Sequence, residues 1–239
     1  MQRRSAREIW PWYEVAIGLT ALAAIAVIGA VLHDRPGPNP IDHVGFVIIP
    51  LETHSSLFRA VTWSGTLAPL LIGSAGAAII AGVTGTRDRW RAVACLIAPP
   101  LAAVVNEYCI KPAVGRMYVG ELSFASGSVV VVAGVSAAWV LAVPRVLRLA
   151  TAMLGVLAVA MMVFAVVALQ WHYPSDALSG ALFAVGVVVL ADGAVHVVSR
   201  RPIAANGPGE SQVGRHQRPG TEHSELARSP RMAPHSAKG

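Results

Sequence analysis

The sequence predicts an all-α fold, a bundle of six transmembrane helices, and three observations lead there. Of 239 residues, 54% are hydrophobic and only 13% charged, with a mean hydropathy of +0.57, whereas a soluble domain carries about 25% charged residues. Six apolar runs approach the ~20 residues that an α-helix needs to cross a bilayer. Basic residues collect in alternate connections between those runs, the pattern of a chain threaded back and forth through a membrane.

The first run, Val15 to Leu32, follows Arg3, Arg4 and Arg7 and the interfacial aromatics Trp10, Trp12 and Tyr13. No small-x-small cleavage site follows it, so it reads as an uncleaved span after a cytoplasmic N-terminus, residues 1–14. The loop His33 to Gly65 opens with the turn-rich "DRPGPNP", and its apolar part, "VGFVIIPL", is too short to span and suits the interface. The second run is Leu67 to Gly85. The third, Ala92 to Ile110, contains Pro99-Pro100, which predicts a kink. Cys95 and Cys109 would lie about 21 Å apart along a straight helix there, too far to pair. The fourth run, Ser128 to Val143, is the shortest. Leu149 to Gln170 and Ala177 to Val198 complete the six, giving a membrane domain over 15–198. Residues 199–239, rich in Gly, Pro, Ser, His, Gln and Arg without helical period, predict a disordered cytoplasmic tail.

The net charge of +6 follows this topology and does not point to nucleic acid. Arg87, Arg89 and Arg91 lie between the second and third runs, Arg145 and Arg148 between the fourth and fifth, and Arg200 and Arg201 after the sixth. The remaining connections hold only Arg35, Arg59, Lys111 and Arg116. Both termini are therefore expected in the cytoplasm.

Three short stretches carry chemistry, and span parity puts all three on the outer face: "KPAVGRMYVGE" from Lys111, "SFASGS" from Ser123, and "QWHYPSDALSG" from Gln170. The fourth and sixth runs both begin on that face, and helix N-termini attract anions through free N–H groups and the dipole. Ser126 suits the cap of the fourth run, and Gly127 admits a phosphate close to the backbone. Pro174 suits the first position of the sixth helix and Asp176 its first turn. Lys111 and Arg116 add positive charge. A neutral His172 can attack phosphorus, with Asp176 as the carboxylate that fixes its tautomer.

This layout resembles the type-2 phosphatidic acid phosphatase superfamily, which includes the vanadium haloperoxidases, over about Lys111 to Gly180. The family signature is K-x6-R-P, P-S-G-H and S-R-x5-H-x3-D on an all-helical core. The resemblance implies an integral-membrane phosphohydrolase of lipid phosphates or isoprenoid diphosphates that forms a phosphohistidine without metal or other cofactor. His172 would be the nucleophile and Asp176 its orienting partner, with phosphoryl oxygens held by Lys111, Ser126 and the Gly127 N–H, and Arg116 substituting for the displaced arginine. The expected location is a bacterial plasma membrane.

All three motifs depart from the family's. Tyr118 and then Val119 stand where it has arginine and proline. Ser128 replaces the histidine that protonates the leaving group. Val166, after Ala165, stands where serine–arginine is expected. A missing general acid costs about 10²–10⁴-fold, least for a diphosphate, whose leaving group needs little protonation. Glu121, Tyr118 and His43, all expected on the outer face, are the candidates to supply that proton instead. The competing expectation is a catalytically inactive relative that binds phospholipid or acts as a membrane scaffold. Away from these motifs, Asp192 and His196, an i,i+4 pair near the inner end of the sixth run, read as a packing pair between spans. No Cys/His cluster has zinc spacing.

Overall fold

The computed structural model describes residues 6–35, 37–84 and 89–199. The tail expected to be disordered lies outside the described residues from 200 onward, as do Arg3, Arg4, Arg87, Arg200 and Arg201. The helices are α1 (Ala6–Leu32), α2 (Pro40–Ile48), α3 (Ser56–Trp63), α4 (Leu67–Thr84), α5 (Arg89–Val105), α6 (Lys111–Val114), α7 (Gly127–Ala142), α8 (Arg148–Ala168) and α9 (Pro174–Ser199). A π-helical turn, Asn106–Ile110, joins α5 to α6, and a two-stranded hairpin (β1, Met117–Tyr118; β2, Glu121–Leu122) follows.

Five helical stretches are long and apolar enough to cross a membrane: Trp12–Leu32, Leu67–Thr84, Arg89–Val114, Arg145–Ala168 and Pro174–Ser199. The chain is thus built as an integral membrane protein, and large apolar side chains such as Ile72, Val83, Leu149 and Val156 face outward, as a lipid-bathed surface requires. The sixth expected run, Ser128 to Val143, is α7, an apolar helix of only 16 residues. Pro144 accounts for its end: it confines Val143 to extended backbone (ψ 154°), where the helix stops. At 1.5 Å per residue α7 rises about 24 Å, short of a ~30 Å hydrocarbon core. It packs against α4, α5, α8 and α9, with Val129 to Gly134 buried, so protein surrounds most of its length.

Pro99 and Pro100 stand within α5 without ending it, and the departure from α-helical bonding comes later, at the π turn. Asn106, which opens that turn, is buried and donates from Nδ2 to the Ala125 carbonyl at 2.9 Å. The turn thereby ties the third span to the chain entering α7. The loop called interfacial contains two short helices, α2 and α3. Asn39 caps α2 through a capping box with Asp42, followed by Pro40 at the first position. Outward-facing Ile41, Val44, Val47 and Ile48 make that helix amphipathic.

Two close approaches order the bundle. The Ser126 N–H donates to the Asp176 carbonyl at 3.1 Å, bringing the starts of α7 and α9 together. At the same end, the Asp34 N–H donates to Val114 O at 3.1 Å, which adds the ends of α1 and α6. Along the bundle α1 lies directly on α9, and Gly18 permits it: a Cβ there would fall 2.6 Å from Leu190 Cβ and 2.8 Å from its Cα. Small residues at such contacts let backbones pack closely where lipid offers no hydrophobic gain. Gly18→Leu is therefore expected to lower the unfolding midpoint in detergent, by about 1–3 kcal/mol of stability. Val27→Leu, on the exposed face of α1, should leave the midpoint unchanged.

Candidate functional site

The end of the bundle that gathers α6, α7 and α9 carries a two-lobed cleft. One lobe, about 440 Å³, is lined by Lys111, Tyr118, Glu121, Ser123, Trp171 and His172, among others. The other, about 420 Å³, is lined by Glu107, Lys111, Gly127, Ser128 and His172 together with Leu67, Leu70, Val104 and Val131. Lys111 and His172 line both. Four residues expected at the site therefore meet here: Lys111, Gly127, Ser128 and His172. Tyr118 joins them from the hairpin.

Each reaches the cleft for a local reason. Lys111 follows the π turn and pairs with Glu107 one turn back at 2.8 Å. A Cβ on Gly127 would lie 3.9 Å from the Lys111 ammonium, so the start of α7 and that cation are neighbours. After α8, Gln170 adopts a left-handed backbone (φ +58°), rarely taken by residues other than glycine, and the chain turns there so that Trp171 and His172 enter the cleft. His172 Nδ1 lies 3.0 Å from the Ser123 carbonyl. Because a carbonyl only accepts, Nδ1 carries the proton and the ring lone pair is on Nε2. Burial, then the Lys111 charge, push the His172 pKa down to about 4, although the Ser123 carbonyl favours its cation. The ring is neutral over the physiological range. Burial raises the Tyr118 pKa, helped by Tyr173, so that phenol also stays protonated.

Two expected roles are corrected. Asp176 does not serve His172. Its carboxylate accepts from Arg116 Nη1 at 2.6 Å, and the Ser123 carbonyl takes the orienting position. Arg116, in turn, is a buried structural cation and does not line the cleft. Its Nη1 also donates to Ser175 Oγ (2.8 Å), and its Nη2 to Asp42 Oδ2 (2.7 Å) and the Gly37 carbonyl (3.0 Å). The guanidinium stacks 4.0 Å from the centre of the Tyr173 ring. Gly115, with φ +66° and a Cβ position only 2.5 Å from Asp34 Oδ1, makes the turn that sends Arg116 inward. Asp42 further accepts from the N–H groups of Asn39 and Ser175. Burial pushes the Asp42 carboxyl up, but these donors outweigh it and hold its pKa below the usual value.

Ser126 stands at the predicted N-cap position, yet its side chain caps nothing. The hydroxyl is buried and makes no hydrogen bond, while the backbone N–H serves Asp176. Val166 is buried among Val129, Met162 and Val167 in α8's packing face, away from the cleft. Sequence reasoning missed Ser123, because a backbone carbonyl leaves no side-chain signature. It also missed Asp42, although the Asn39-Pro40-x-Asp42 capping signal was present.

At the opposite end, Arg91 Nε and Nη2 donate to the two Asp192 oxygens at 2.9 and 3.0 Å, and Nη2 lies 3.3 Å from His196 Nε2. Asp192 and His196 thus pack between spans as expected. With Glu14 they bring three ligand-type atoms within 4.8 Å of one another. The Arg91 guanidinium already bonds both Asp192 oxygens and neutralises that carboxylate.

No family model, curated protein or solved structure matches this chain. The site rests on its own geometry. Arg116→Met would leave two buried carboxylates without their cation and is expected to destabilise the fold by about 3–5 kcal/mol, measured by thermal unfolding in detergent. Asp42 adds a pH dependence. Its lowered pKa contributes stability above the ordinary carboxylate value near 3.8, and that stability is lost as pH falls through the lowered pKa. The protection of α2 amides relative to their intrinsic exchange should fall only below about pH 4.

Proposed function

We propose that the protein is an integral-membrane phosphohydrolase acting on lipid phosphates or isoprenoid diphosphates through His172. In this reading α7 completes a sixth crossing, both termini are cytoplasmic, and the cleft opens on the outer face of a bacterial plasma membrane. The observation that carries it is the neutral imidazole in a cleft beside Lys111 and the start of α7, its Nδ1 proton committed to Ser123. The Nε2 lone pair attacks phosphorus, the phosphorus–oxygen bond to the leaving group breaks, and the leaving oxygen takes a proton from solvent water, which regains it in the second step. The Nδ1–H bond to the carbonyl stabilises the cationic phosphoimidazolium. Water then attacks phosphorus and the nitrogen–phosphorus bond breaks, releasing inorganic phosphate and regenerating the neutral ring. Lys111 and the start of α7 at Gly127 are the groups offered to phosphoryl oxygens, whereas the expected Ser126 hydroxyl is fully buried and lines neither lobe.

A second reading, a catalytically silent phospholipid-binding or scaffold protein, draws support from the same geometry. Arg116 and Asp176 are engaged with each other, and Lys111, the cleft's one lysine or arginine among the described residues, is paired with Glu107. The two readings part in one assay, phosphate release from a panel of lipid mono- and diphosphates by detergent-purified protein beside His172→Ala. Hydrolysis abolished by the substitution supports the enzyme. Release that persists unchanged would remove His172 as nucleophile, and absence of release from every lipid would favour the silent protein.

The pH profile tests the nucleophile separately. A neutral imidazole is required, so kcat/KM should fall only as pH drops through about 4, not near the ordinary 6.5. Because the Lys111 charge helps lower that value, Lys111→Met should move the acid limb upward while reducing activity. A limb unmoved by Lys111→Met would separate the two groups.

A further inference from the structure

The lobe bounded by the hairpin has the wrong charge for a bare phosphate. Lys111 is the only lysine or arginine lining the cleft among the described residues, and Glu107 already neutralises it at 2.8 Å. Glu121 lines the hairpin lobe as a second carboxylate, exposed and without an ion pair among the described residues. His172 is neutral at physiological pH. One cation therefore faces two carboxylates, and a phosphate would add further negative charge to that balance. A ligand that brings its own cation makes the set complementary.

The chemistry is also divided between the lobes. Glu121, Tyr118 and Trp171 line only the hairpin lobe, whereas Leu67, Leu70, Val104 and Val131 line only the other, and Lys111 and His172 stand at the junction. A carboxylate with two aromatic rings is what attracts an ammonium, through Coulombic attraction and the negative ring faces. The Tyr118 phenol stays neutral there, so it adds ring surface and no charge. Hydrocarbon belongs in the lobe of leucine and valine. The junction at Lys111 and His172 is the place left for a phosphate.

We infer that the cleft recognises a phosphate ester that carries its own ammonium, with 2-aminoethyl phosphate as the smallest such unit: the phosphate at Lys111 and His172, the ammonium at Glu121, Tyr118 and Trp171. The inference rests on the phosphate reading of the cleft and names the ligand class within it. The unit occurs both in soluble phosphoethanolamine and in amine-bearing lipid phosphates, and the apolar lobe suits the lipid form.

The test is binding, which needs no turnover. Dissociation constants are measured for full-length protein in detergent with phosphoethanolamine, glycerol phosphate and inorganic phosphate, for wild type, Glu121→Gln and Glu121→Lys. Wild type should prefer phosphoethanolamine over glycerol phosphate by roughly five-fold, the size of one exposed ion pair. Glu121→Lys should reverse that order, weakening phosphoethanolamine and tightening glycerol phosphate, with Glu121→Gln between them. A crossing of the two affinities cannot come from misfolding, which weakens both. Equal affinities in wild type, no binding of any probe, or both ligands moving together in Glu121→Lys would overturn the inference. A second arm repeats the comparison in mixed micelles with a long-chain 2-amino-alkyl phosphate and its amine-free counterpart. A larger preference in micelles than in solution identifies the lipid as the source, and a preference confined to the soluble ligands identifies the free headgroup. Phosphate release from the micellar pair, beside His172→Ala, keeps the two proposals apart. The crossing without hydrolysis upholds the ligand class and defeats the enzyme, while equal hydrolysis of both lipids with no crossing does the reverse.

Discussion

A guanidinium with no access to water must satisfy its charge from the protein, and Arg116 does so by drawing three segments onto itself. Asp42 comes from α2, Ser175 and Asp176 from the start of α9, and the Gly37 carbonyl from the loop after α1. Burying two carboxylates and one cation is costly, and their mutual hydrogen bonds must offset the desolvation, with Arg116 Nε and Asp176 Oδ2 left without partners. That requirement fixes geometry more than it adds stability. Four of the contacts hold only if α2 lies across the head of α9 and the hairpin leaves α6 at the angle that Gly115 sets. The cleft is the space left beside this knot.

The knot also decides what the site lacks. A carboxylate beside the imidazole would both orient it and stabilise its cation. Asp176 is held by Arg116, and a neutral carbonyl from Ser123 orients the ring with less charge stabilisation. The low pKa of His172 comes from burial of the ring and the Lys111 charge, which the Ser123 carbonyl and Glu107 oppose only in part. A phosphohistidine would form on a less basic nitrogen here, one available as a nucleophile at lower pH but weaker once engaged.

The apolar runs were legible because their hydropathy is local, and apart from α1, which starts nine residues early at Ala6, the long helices begin and end within a few residues of the sequence boundaries. The shortness of α7 was legible too, since Pro144 marks its stop. The positions of Lys111, Gly127 and His172 at one end followed from span parity and from helix starts, both countable along the chain. Pairing was not legible. Asp176 lies four residues after His172, and local spacing made it that residue's partner, whereas Arg116, distant in sequence, claims it because a buried cation outbids a neutral ring. Ser123 acts through its backbone, the π turn depends on Asn106 reaching Ala125, and Gln170 holds a backbone conformation its side chain does not advertise. Side chains signal themselves, and backbone roles and long-range ion pairs do not.

One helix belongs to both buried ion networks. α9 holds Asp176 in the Arg116 network near its first turn and Asp192 in the Arg91 network near its end. The two carboxylates are sixteen positions apart, about 24 Å along the axis. A rod gripped at two such points resists twisting as well as sliding: a roll that kept one network intact would shear the other. α9 is thus the stator of the bundle, with α1 seated on it through Gly18. Compliance that admits a ligand to the cleft falls to the parts outside both grips, the exposed hairpin, the turn at Gln170 and α4.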